Sequence, residues 1–60
     1  MTPFRRLWIE HGELCCEVRA DQRYRLPNPT PEGRRYDPAA VYDRVRAVKT
    51  IDLNRWELMR

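Results

Sequence analysis

Sixty residues hold eleven Arg and one Lys against nine acidic side chains, a formal net charge of +3, with 42% hydrophobic and 35% charged content. That is room for a single domain, residues 1–60. No apolar run approaches the roughly 20 residues that span a bilayer, and no apolar stretch follows Arg5 and Arg6 to make a secretory signal, so a cytoplasmic chain without a membrane partner is expected.

The apolar residues fall in patterned runs, the mark of a folded chain. A domain this short buries only about 60% of the surface of its unfolded chain. Its stability is therefore small, and reinforcement by a partner, or by self-association into a homo-oligomer, is expected. The predominance of Arg over Lys fits either a GC-rich genome or recognition of phosphates and carboxylates by the planar guanidinium fork. The acidic residues are interspersed, so the charge permits a nucleic-acid partner without demanding one.

Residues 4–10 and 13–19 are two runs of strand length on either side of His11-Gly12. A two-residue loop with a glycine able to take positive φ is a hairpin signal. The register then follows: Glu10 faces Glu13, Ile9 faces Leu14, Trp8 faces Cys15, Leu7 faces Cys16, Arg6 faces Glu17 and Arg5 faces Val18. Period-two alternation puts Leu7, Ile9, Leu14 and Cys16 on one face. Arg6 and Glu17 form an opposite-charge pair on the other.

Tyr24 and Leu26, separated by Arg25, suggest a third short strand. Residues 27–37 form a Pro-rich loop, since Pro27, Pro29 and Pro31 with Gly33 exclude regular structure and favour a stiff, extended course. This segment either joins the strands to the helix or forms an exposed arm whose end, Arg34, Arg35 and Tyr36, meets a partner.

Asp37 is a good N-cap and Pro38 suits the first helical position. Val41, Val45 and Val48 recur at helical spacing, with Asp43, Arg44, Arg46 and Lys49 off that stripe. The pattern predicts a helix over residues 38–49 whose valines pack on Leu7, Ile9 and Leu14. Beyond Thr50 the pattern is ambiguous. Ile51 and Leu53, then Trp56 and Leu58, alternate as a strand would, one that would pair with the hairpin. Asp52 could equally cap a short helix carrying Leu53, Trp56 and Met59.

Catalytic chemistry is sparse. There is no Ser, and the one His, His11, sits at the expected turn tip with nothing to hold it as a base. No Cys-x-x-Cys or second His suggests a metal site, and no glycine-rich phosphate loop is present. No cofactor and no metal are expected, and the chain reads as a non-enzyme. Cys15 and Cys16 are adjacent, so on a strand they point to opposite faces and a disulfide between them would be strained. Cys16 is expected in the core and Cys15 on the outer face beside Trp8. Two readings stand for Trp8. It is part of a second small cluster covered by Trp56 or Tyr24, or it is an exposed aromatic flanked by arginines that stacks on a base or anchors a protein interface.

The whole predicts an α+β domain: hairpin, Pro-rich loop, one helix, and a C-terminal strand or short helix. Its expected role is that of a small interaction protein, a regulator or inhibitor docking on a larger protein or nucleoprotein complex. It has the size and style of accessory proteins that phages and mobile elements encode, some of them acting against host defence. The alternative is direct nucleic-acid binding through an Arg-rich surface. The residues expected to meet the partner are Arg5, Arg6, Trp8, Arg34, Arg35, Tyr36 and Arg44.

Overall fold

The structure, a computed structural model, describes residues 2–27 and 35–60. The hairpin forms where the pattern places it. Strand β2 (Arg6–Glu10) and strand β3 (Glu13–Arg19) pair antiparallel with Arg6 opposite Glu17, Leu7 opposite Cys16, Trp8 opposite Cys15, Ile9 opposite Leu14 and Glu10 opposite Glu13. The turn works because both loop residues adopt left-handed backbone, His11 at φ 52 and Gly12 at φ 75. A two-residue turn matched to strand twist needs positive φ at both positions. The first strand is shorter than the predicted 4–10. Phe4 and Arg5 precede it, because the chain first pairs Thr2–Pro3 (β1) with Thr50–Ile51 (β5).

The third strand, β4 (Gln22–Leu26), lies on the other side of β3, with Leu14 opposite Leu26, Cys16 opposite Tyr24 and Glu17 opposite Arg23. The connecting turn puts Asp21 at φ 70, a conformation Asp tolerates better than most residues. The register slips between Glu17 and Arg19, a bulge beside that turn.

Helix α1 (Pro38–Arg46) starts as predicted. The Asp37 Oδ1 accepts a 3.0 Å hydrogen bond from the Ala39 N–H, and Pro38 occupies the first turn. It stops short of residue 49. The N–H groups of Ala47 and Val48 bond three residues back, to the carbonyls of Arg44 and Val45. This tightened turn frees the chain to extend into β5.

The C-terminal stretch resolves into both alternatives in miniature. Asp52 accepts a 3.0 Å bond from the Asn54 N–H and caps a 3-10 turn, Leu53–Arg55. Glu57–Leu58 then form β6. That strand adds to β4 rather than to the hairpin, with Tyr24 opposite Leu58 and Arg25 opposite Glu57, in a sheet ordered β2-β3-β4-β6. With β3 flanked on both sides by β2 and β4, only the outer edges of β2 and β4 are open, and the segment takes that of β4.

The helix and the C-terminal segment cover one face of this sheet. Cys16, Val18 and Ile51 are buried there, with Phe4, Leu7, Tyr24, Val45, Leu53 and Trp56 packed around them. Leu14 and Leu26, opposite each other, are buried alongside. The helix is too short to shelter all of the expected face: Val45 packs in, but Ile9 and Val48 stay exposed. Among the described residues no helix is long and apolar enough to cross a membrane.

Candidate functional site

The sheet face opposite the helix carries paired charged side chains and Trp8. Strand alternation fixes its membership. One cross-strand row is Arg6, Glu17 and Arg23, the next is Trp8, Cys15, Arg25 and Glu57, and Glu10 with Glu13 lies toward the hairpin end. Glu17 sits between two arginines, 3.5 Å from the Arg6 Nε and 3.4 Å from the Arg23 Nε. The Arg25 Nε lies 3.3 Å from Glu57. The Arg6 guanidinium stacks over the Trp8 ring at 4.7 Å from its centroid, a cation–π contact of about 0.5–1 kcal/mol at an exposed site. The ring is half-buried, held between this cap and the sheet.

The charges on this face nearly cancel, with one more Glu than Arg. Arg6, Arg23 and Arg25 stand against Glu10, Glu13, Glu17 and Glu57, three positive groups against four negative. Arginine groups adjacent in sequence therefore do not converge here into a phosphate-binding patch.

Cys15 takes its expected place on the outer face beside Trp8, yet it is only 2% exposed. Its cross-strand neighbours are Trp8 and Arg25, large enough to shield it from water without a covering element. Burial, and next the nearby Glu10 and Glu13 carboxylates, push its thiol pKa up. Cys16, fully buried on the other face, is pushed up to about 12, chiefly by burial and then by Cys15. A thiol so shifted is almost wholly protonated at neutral pH and is a poor nucleophile.

The expected partner-binding residues separate. Arg6 and Trp8 come together on the outer face. Arg5 is exposed just before β2, its N–H donating to the Glu17 carbonyl at 2.7 Å. Tyr36 is half-buried, and its hydroxyl donates to the Leu26 carbonyl at 3.0 Å, so it anchors the helix approach to the end of β4. Arg35 is exposed beside it, and Arg34 lies outside the described residues, as does most of the expected Pro-rich arm. Arg44 is on α1, on the helix side of the sheet, away from Trp8. Neither Trp56 nor Tyr24 covers Trp8, because both pack on the Cys16 side.

Glu17 joins the site as the expected partner of Arg6, and Arg23 and Arg25 join it without having been expected to meet a partner. Carrying the Arg6–Glu17 alternation on to Tyr24 and Leu26 would have found both arginines. Glu57 had no such signal, since β6 is two residues long. His11 is an exposed turn residue. Among the described residues, no group of three or more His, Cys, Asp or Glu side chains is placed to hold a metal ion. Comparison with known proteins gives no match to any family model, curated protein or solved structure.

Proposed function

We propose that this chain is a small non-enzymatic interaction domain, a regulator or inhibitor that docks on a larger protein or nucleoprotein complex through the outer face of its sheet. One observation carries the reading: an Arg6-capped Trp8 on the edge strand β2, on a sheet face whose arginines are already answered by glutamates. Trp and Arg dominate the energetic centres of protein interfaces. A near-neutral, mixed-charge rim gives specificity toward a protein surface of complementary pattern. It gives little attraction for a polyanion, whose binding rests on unanswered positive charge. The exposed turn position of His11 and the raised thiols of Cys15 and Cys16 support a non-catalytic role.

The test is titration with fluorescein-labelled single- and double-stranded oligonucleotides across a salt series, for the wild type and Trp8→Ala. The expected result is weak binding that fades with salt and is the same for both proteins. Tight binding at physiological salt that Trp8→Ala weakens by about 1–3 kcal/mol, the worth of one stacked base, would overturn the reading in favour of nucleic acid.

A further inference from the structure

On the opposite side of the sheet, α1 and the C-terminal segment leave a groove of about 320 Å³. Its floor and walls are apolar: Leu26, Val41, Val45, Val48, Ile51 and Trp56. Leu26 and Ile51 are only 4% exposed each, so they form the floor, whereas Val48 is 48% exposed at the lip. Arg44 and Arg55 line the same groove, and neither makes an ion pair among the described residues. Asp52, the one acidic side chain in the lining, is occupied in capping Asn54.

The placement of Arg44 follows from helix geometry. Residues three and four apart share a face, so Arg44 stands beside the Val41–Val45–Val48 line. Arg55 comes from the 3-10 turn. The groove therefore pairs an apolar floor with two guanidiniums that make no ion pair among the described residues, against the single carboxylate of Asp52, in contrast to the outer face, where the arginines are paired.

We propose that this groove binds a peptide segment of a partner protein in which apolar side chains alternate with carboxylates. The apolar side chains fill the space over Leu26, Ile51 and Trp56. The carboxylates meet Arg44 and Arg55, whose planar forks suit bidentate pairing. The volume lies at the small end of the about 300–1,000 Å³ of ligand clefts, enough for a few side-chain anchors. A polyanion without apolar groups would leave the floor uncovered, and so fits less well. The inference stands on the groove alone and does not depend on the Trp8 face.

The test uses ¹⁵N-labelled protein titrated with a short, end-capped peptide alternating leucine and aspartate, and with a leucine–lysine peptide of equal length. The acidic peptide should shift the Trp56 indole and the Val48 and Ile51 amides, and the basic one should not. The double substitution Arg44→Gln with Arg55→Gln should weaken binding about tenfold or more, one charge-assisted pair being worth about 1.5 kcal/mol or more. Val48→Glu at the exposed lip should abolish binding while spectral dispersion is kept, and Trp8→Ala should bind as the wild type does. Five outcomes would each overturn the proposal. They are absence of shifts, equal binding of the basic peptide, shifts centred on Trp8, stronger shifts from an oligonucleotide, and contacts to Trp56 from residues 28–34 or from a second copy of the chain.

Discussion

At the scale of single residues, Cys15 and Cys16 show how one strand serves two surfaces. Cys16 is a small core side chain, and Cys15 is sealed by Trp8 and Arg25 on the face with no helix. Cys16 also makes a measurable pH dependence. Its thiol pKa is raised from an ordinary value near 9 to about 12. The folded state therefore keeps a proton that the unfolded chain gives up, so the contribution is intact below about pH 9 and is lost as pH rises toward 12. Each pH unit in that window lowers stability by at most about 1.4 kcal/mol from this group. Urea unfolding of the wild type and Cys16→Ala from pH 7 to 11 should show a steeper alkaline decline in the wild type, although the variant is less stable at pH 7. Parallel declines would mean that the Cys16 thiol titrates normally.

At the scale of elements, local chemistry decides most of what forms. The hairpin register was legible from Arg6–Glu17 to Glu10–Glu13, because His11-Gly12 sets the turn and Arg6–Glu17 and Leu7–Cys16 agree on which face is which; the expected Arg5–Val18 pair does not form, since Arg5 lies before the strand and its N–H bonds to the Glu17 carbonyl. The helix start was legible from Asp37-Pro38. The helix end was not. Val48 continues the apolar period, but a pairing with the far end of the chain, β1 with β5 (Thr2 with Ile51, Pro3 with Thr50), pulls the chain out of the helix. The C-terminal segment was illegible for a related reason: two-residue strands and a single 3-10 turn are shorter than the periods that reveal them. Two substitutions check the element account by urea unfolding. Asp37→Ala should cost about 1 kcal/mol through loss of the cap. His11→Asn should raise stability by a few tenths of a kcal/mol, since Asn accepts the left-handed turn conformation more readily. A neutral Asp37→Ala would mean the cap bond to Ala39 contributes nothing.

At the scale of the whole molecule, the sheet sorts its charge. The outer face carries one more Glu than Arg, so the excess of +3 lies elsewhere, in part with Arg44, Arg46, Lys49 and Arg55. Composition shows that arginines are abundant but not where they gather, since that depends on strand parity and on the bulge after Glu17. Of the expected partner residues, Arg6 and Trp8 share a surface because they are two apart on one strand. Tyr36 does not join them because Leu26 holds its hydroxyl. The groove beside Trp56 could not be read from the sequence, because it exists only where the helix end and the 3-10 turn meet over Leu26. A domain of about 60 residues has little stability to spare, which suits the proposed docking on a larger partner.

The most direct test of the central claim is affinity capture with the tagged chain, with and without nuclease, comparing the wild type, Trp8→Ala and Arg46→Gln, an exposed helix position outside both surfaces. The account predicts a discrete protein partner that survives nuclease and is retained by Arg46→Gln. That partner should fall away with Trp8→Ala, as loss of about 2 kcal/mol or more at an interface centre requires. Material that vanishes with nuclease, or a partner held equally by Trp8→Ala, would contradict it.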